Sequence, residues 1–361
     1  MQPGSSQPLS EQHGGNSGGA VTVRPMESRD MPRWDAFVLS HPDGSFFHRS
    51  GWHGIFQDVF RLSPRYLIAE RGAEVVGILP LAYQRSRLFG NALVAAPFCV
   101  EGGPVAADDQ AMNALVTAAL AIQTETGAPY IEFRSAKARQ AGWTARKDLY
   151  ASFSGPLTAD DKENLLKIPR KQRAVVRKTI ESSLVSETTD TIDDVFRIYA
   201  ESVRNLGTPV FAKRYFSKLK SVFGPDCDAV VIRDNGAPVS AVLNFYHKDT
   251  VLPYYGGGTA GARRNGANDF LYWEVMRRAV QRGYRRFDFG RSKAGTGAFA
   301  FKKNWGFEPR WLEYEYHFLP GQTMPDKNPL NPKYALFIAA WKKLPLPVAN
   351  FIGPWLIRGL G

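Results

Sequence analysis

The chain has 361 residues, of which 44% are hydrophobic, 12% aromatic and 22% charged, ample material for a packed core and a balance that excludes global disorder or a fibrous repeat. At about 150 residues per domain, the length corresponds to roughly two domains. Lysine and arginine number 46 against 34 acids, a net charge of +12, which suits an anionic partner: phosphate, nucleic acid or an acidic membrane surface. The two cysteines, Cys99 and Cys227, stand in unrelated contexts, so no disulfide framework and no CxxC redox or zinc pattern is expected and a reducing cytoplasm fits.

Residues 1–20 are polar and glycine-rich, which predicts a disordered tail with neither the basic end nor the apolar block of a signal peptide. A first domain is expected over 21–158. Within it, Tyr66 to Tyr83 reads as a hairpin turning at Arg71 and Gly72, followed by the glycine-rich EGGP at Glu101 to Pro104. A helix over Ala111 to Glu125 stops before Gly127, and the strand GAPYIEF runs from Gly127 to Phe133.

Residues 185–320 repeat this order. Ala229 to Tyr246 is a hairpin turning at Asn235 and Gly236, YYGGG follows at Tyr254 to Gly258, a helix covers Asp269 to Arg282, and GYRRFDF runs from Gly283 to Phe289. Two copies of a hairpin, strand, helix, strand unit predict an α+β fold of duplicated domains. Between them, 159–184 reads as a basic helical linker. Pro169 suits the first helical position, and Lys167 to Lys178 holds six basic residues and no acid. Arg170, Arg173 and Arg177 share one helical face, either to hold the phosphates of a substrate or as a solvated surface. After Pro320, residues 321–361 contain two apolar patches, Tyr334 to Trp341 and Val348 to Ile357, each too short to span a bilayer. They either pack on the body or lie in a membrane interface, with lysine and tryptophan at the headgroups.

The strongest local signal is FDFGRSKAGTGAFAFKKNWGFEP, Phe287 to Pro309. Strand alternation places Phe287 and Phe289 on one face and Asp288 on the other, and Gly290 lets the chain pass close to a ligand. Asp288 is a candidate proton acceptor or an ion-pair partner of Arg291. The DFG triplet has no HRD loop beside it, and no HExxH, GxSxG or Walker pattern is present, which argues against a kinase, metallohydrolase or serine hydrolase. No metal site is expected.

FDFGRS followed by a glycine-rich gap and FKKNWGF resembles the signature of FemAB-type acyltransferases. SFFHRSGW at Ser45 to Trp52, IPRKQRAVVRK, RNLGTPVFAKRYF, VLPYYGGG and NDFLYWEVM occur in the matching order, and NPKY with WKKLPLPV resembles the branch associated with exosortase/PEP-CTERM systems. The resemblance implies two tandem GNAT-like domains with mixed sheets flanked by helices. It implies transfer of an aminoacyl or acyl group to an amine of a cell-envelope, exopolysaccharide or peptidoglycan precursor, lipid-linked or nucleotide-linked.

It also implies that Lys302 faces the donor carbonyl with Phe301 beside it and Lys303 as the fallback. Substrate contacts are expected from Arg170, Arg173, Arg177, Tyr254, Tyr255 and Arg291. The loop RRNGAN would offer Arg263 and Gly266 to donor phosphates, but it lacks the last small residue of the acyl-CoA cradle, so aminoacyl-tRNA and acyl-CoA both stand as donors and no tightly bound cofactor is expected. The expected location is the cytoplasm, with peripheral contact on the inner face of the membrane. A non-catalytic basic protein that binds nucleic acid is the alternative.

Overall fold

The structure, a computed structural model, describes residues 19–86, 90–324 and 332–359; the expected N-terminal tail lies, up to residue 18, outside the described residues. The first half contains β1 (Val21–Pro25), α1 (Met31–Ser40), α2 (Gly51–Asp58), β2 (Ser63–Arg71), β3 (Glu74–Ser86), β4 (Gly90–Ala95), β5 (Val105–Ala106), α3 (Asp109–Thr126), β6 (Tyr130–Phe133), β7 (Thr144–Arg146) and β8 (Tyr150–Pro156). Then come α4 (Asp161–Lys167) and α5 (Arg170–Ile180). The second half contains β9 (Val185–Thr189), α6 (Asp193–Leu206), α7 (Lys213–Phe223), β10 (Cys227–Asp234), β11 (Ala237–His247), β12 (Thr250–Gly258), α8 (Ala260–Asn265), α9 (Ala267–Gln281), β13 (Arg286–Lys293), α10 (Gly297–Asn304), β14 (Arg310–Trp311) and β15 (Tyr314–Phe318). Two helices follow, α11 (Pro332–Lys342) and α12 (Leu346–Ile357).

Local chemistry explains the boundaries. The β10–β11 turn places Asn235 and Gly236 at φ 49° and 81°, the left-handed pair that a two-residue hairpin turn requires. Asp108 caps α3 by accepting from the Ala111 amide, and Gly127 at φ 61° ends it.

The two sheets have the same order. One runs β1-β2-β3-β4-β6-β15-β7, with β5 added on β3, and the other β9-β10-β11-β12-β13-β8-β14. Each is an antiparallel meander up to a single parallel pairing, β4 with β6 or β12 with β13, and the next strand is supplied by the other half. Thus β8 pairs with β13, Phe287 opposite Gly155, while β15 pairs with β6, Glu315 opposite Phe133. This differs from the expected division at 158 and 320. A strand edge left bare exposes unpaired N–H and C=O groups, and each half covers that edge of the other.

The cores join as well. Phe46 stacks on Phe245 with ring centres 4.4 Å apart, and Trp52 packs on Phe223 at 5.3 Å. At the C-terminal end, Trp341 is buried with its indole N–H donating to the Thr208 carbonyl, and Ala349, Gly353 and Ile357 are buried in turn. These helices pack on the body through one face only.

Candidate active site

Strands β12 and β13 pair only at Thr250–Arg286 and Val251–Phe287, then part; β4 and β6 pair only at Leu93–Ile131 and Val94–Glu132. The diverging ends point into the junction of the halves. There β13 loses register against β8 between Asp288 and Arg291, and Gly290 sits at φ 68°. The Asp288 carboxylate accepts from the Gly290 amide at 2.7 Å and the Ser152 hydroxyl at 3.3 Å. Burial lifts its pKa above the ordinary carboxylate value, against those hydrogen bonds and the nearby Lys302 and Arg310.

Helix α10 brings Lys302 to the same bulge. Thr296 caps the helix by accepting from the Phe299 amide. The buried Lys302 ammonium donates to the carbonyls of Gly290 (2.9 Å) and Arg291 (3.2 Å) and lies 5.6 Å from the centre of the Phe153 ring. Burial lowers its pKa to about 7, with Asp288 opposing the fall and Arg291 adding to it. An ammonium has three donors, and the two carbonyls take two.

Arg291 does not pair with Asp288. It donates to the Tyr314 hydroxyl at 2.8 Å and lies 4.5 Å over the Tyr150 ring; Tyr314 in turn donates to the Val100 carbonyl.

Facing this bulge from the first half is Glu101, bonded to Arg310 at 3.2 Å with 21% of its side chain exposed. Burial raises its pKa; Arg310 opposes the rise and the neighbouring Asp288 adds to it. The loop leading to Glu101 holds Ala96 and Phe98 at φ 46° and 67°, left-handed conformations that cost non-glycine residues of order 1–3 kcal/mol and persist where packing enforces them. The Phe98 ring lies 4.1 Å from Phe60.

Glu101 and Arg310 border a cavity of about 440 Å³ that is also lined by Arg134, Lys137, Arg139, Asp43, Ser45 and His48. Arg134 is tied to Glu132 and to the Cys99 carbonyl. His48 is neutral, its pKa pushed down to about 4 by burial. Its Nδ1 accepts from the Ser45 amide and hydroxyl, and Nε2–H donates to the Gly103 carbonyl. Basic groups therefore outnumber acids in a cleft bordered by Glu101, whose pKa burial raises.

The other expected site residues divide. Tyr254 reaches the junction, its hydroxyl donating to the Phe98 carbonyl at 3.4 Å. Tyr255 is 5% exposed and bonds to the Tyr215 hydroxyl inside the aromatic core, which removes it from ligand contact. Phe301 packs on Tyr272 and Trp305, and Lys303 points to solvent. Arg170 and Arg177 are exposed and Arg173 is half-buried, donating to the Leu166 carbonyl; Pro169 caps the helix from just before its first residue.

The expected phosphate loop packs against α5 on one side. A Cβ on Gly266 would lie 2.6 Å from the Thr179 methyl of α5, and the Asn268 side chain fills the space above Gly258. Arg263 is exposed beside it. The start of α3 is no substitute, since Asp108 and Asp109 occupy it. A donor pyrophosphate would be held there by the loop's backbone N–H groups, of which that of Ala267 donates to the Asn265 side chain. Among the described residues, no group of His, Cys, Asp and Glu is arranged to hold a metal.

Glu101, Arg310, Arg134, His48 and Tyr314 escaped the sequence reading. The glycine pair after Glu101 marked the loop; nothing local marks Arg310 or Tyr314, which reach the site through exchanged strands.

Residues 166–303 match the family described as acetyltransferase (GNAT) domain. No curated protein matches the sequence. Among solved structures, FemX is similar at a TM-score of 0.62 and 16% identity, covering 82% of this chain and 97% of that one. The C-terminal domain of a putative lysylphosphatidylglycerol synthetase from Agrobacterium fabrum gives 0.53 and 16%, covering 80% and 91%. A tandem GNAT protein from the clavulanic acid biosynthesis pathway gives 0.52 and 14%, covering 82% and 98%. The fold is that of tandem GNAT proteins, and residues 166–303 are similar to a GNAT acetyltransferase domain. That match favours the acyltransferase expectation over the non-catalytic alternative.

Proposed function

We propose that the chain is an N-acyltransferase whose active site is the junction between the halves, and that it passes an aminoacyl group from aminoacyl-tRNA to an amine of a lipid-linked or nucleotide-linked envelope precursor. The observation that carries the reading is the convergence of Lys302, Asp288 and Glu101 at one bulge beside the basic cavity. The acceptor amine loses its proton to Glu101 or, through the same cluster, Asp288. Its nitrogen attacks the ester carbonyl, the remaining Lys302 donor stabilises the oxyanion, and collapse forms the amide while breaking the ester C–O bond. The released ribose oxygen takes back the proton.

The packing of Gly266 against α5 and the Asn265 side chain on the Ala267 amide weigh against acyl-CoA held in the usual manner. The basic face of α5, with Arg170 and Arg177 exposed and in no ion pair among the described residues, suits a polyanionic donor. The name lysylphosphatidylglycerol synthetase describes a lysyl group joined to a phospholipid; it supports an aminoacyl donor here by likeness of fold. The FemAB resemblance supports a sugar or peptide precursor as acceptor, an exopolysaccharide precursor included. Arg134 and Arg310 in the cavity suit its phosphates.

The test incubates the protein with charged tRNA or with acyl-CoA, together with nucleotide-linked amino-sugar and peptide precursors, and reads acceptor mass. Transfer from charged tRNA alone is expected. Transfer from acyl-CoA alone would overturn the donor, and a product from neither would overturn the reaction.

A further inference from the structure

We propose that the outward face of α11 and α12, together with Arg61, Arg214 and Arg358, docks on the surface of an anionic phospholipid bilayer. The inference stands apart from the transferase reading, because nothing in it uses the cleft.

The face is concentrated. Of the thirteen large apolar side chains that are exposed among the described residues, six, Leu336, Phe337, Val348, Phe351, Ile352 and Trp355, lie on these two helices, and the three most exposed are among them, Leu336 at 81%, Phe351 at 76% and Trp355 at 70%. On α12 the exposed positions 348, 351, 352 and 355 follow the spacing of one helical stripe, while Ala349, Gly353 and Ile357 form the buried stripe. The buried stripe is tightly seated, since a Cβ on Gly353 would come within 2.9 Å of the Val210 backbone nitrogen. The exposed stripe is thus presented by a fixed helix. Neither helix is long and apolar enough to cross a membrane, so the geometry is one of lying on a surface.

The charge around the face names the occupant. Residues 332–359 contain four basic residues and no acid. Arg358 lies 5.4 Å from the Trp355 ring centre, and Arg214 and Arg61 are close enough to depress its pKa further after burial has done so. Among the described residues none of the three forms an ion pair; Arg214 donates to the Val59 carbonyl, and Asp58, whose carboxylate feels the charge of Arg61, is bonded to Lys218. Cations left without acids beside an apolar stripe with tryptophan at its edge match phosphate headgroups above acyl chains. A second copy of the chain is a poorer occupant, because a self-complementary contact would bring these same cations together.

The test mixes full-length protein, without substrates, with vesicles of phosphatidylcholine alone or of phosphatidylcholine with phosphatidylglycerol, and reads the bound fraction by sedimentation. Binding to the anionic vesicles is expected, weakened by salt. Phe351→Ser with Trp355→Ser should reduce it about tenfold or more. Arg61→Gln, Arg214→Gln and Arg358→Gln together should reduce it by about fivefold per arginine. The arginine variant keeps the apolar packing and serves if the serine variant melts early. No binding by the native chain, or native binding by a folded arginine variant, would overturn the proposal. A dimer split by the serine variant, with no vesicle binding, would assign the face to a second copy and also overturn it.

Discussion

An ammonium held by two backbone carbonyls has one donor left for a substrate, and that count makes Lys302 testable. Lys302→Met keeps the stem and removes the cation, so the chemical step should lose about 2 to 4 kcal/mol, the worth of one oxyanion donor. Measured as turnover, that is about a hundredfold or more, with the melting temperature near native because a buried ammonium with a depressed pKa is itself costly to fold. A fall in melting temperature with native turnover would leave Lys302 as a brace for the bulge. The pH profile gives a second reading. Glu101 must be deprotonated and has a raised pKa, so the rate climbs above the ordinary carboxylate range. Lys302 must be protonated, so the rate falls as pH passes about 7. Lys302→Arg should move the falling limb out of the neutral range, and Glu101→Gln should cost about a hundredfold or more at neutral pH and remove the rising limb. A falling limb unmoved in Lys302→Arg would give that titration to another group.

At the scale of elements, α5 and α12 make opposite predictions. Arg170 and Arg177 are exposed, and α5 is held by its buried residues Val176 and Thr179 against α9. Replacing Arg170, Arg173 and Arg177 with glutamine should therefore raise KM for the anionic donor and leave the melting temperature unchanged; an unchanged KM would make them solvated charges. Gly353→Ala forces a Cβ against the Val210 backbone, and overpacking of this kind costs about 1–3 kcal/mol, read as a lower melting temperature with KM unchanged. Elements were also where the sequence was most legible. The turn residues Gly72, Asn235 and Gly236 and the helix stops Gly127 and Gly283 adopt the left-handed φ that their positions implied. Their signals are local, within one turn of chain. Of the site, FDFGRS and FKKNWGF were legible because they are neighbours in sequence, the end of β13, a short loop and part of α10 being all that separates Asp288 from Lys302.

The molecule as a whole was less legible, since ladder partners far apart leave no local trace. Nothing between Tyr314 and Phe318 tells that the strand lies on β6, nor does β8 announce β13 as its neighbour. Glu101 and Arg310 became a pair only through that exchange. The exchange has a thermodynamic consequence. Removing either half strips a strand from the other sheet and bares the Phe46–Phe245 contact, so the halves should not melt separately. We expect a single calorimetric transition whose calorimetric and van't Hoff enthalpies agree. Phe245→Ala, in the second half, removes a ring that is fully buried against the first half and should cost about 3–5 kcal/mol. That loss should shift the whole transition downward, with fluorescence from Trp34 and Trp52 in the first half and Trp273 and Trp305 in the second moving together. Two resolved peaks, or a shift confined to the second half, would show that the exchanged strands do not couple the halves.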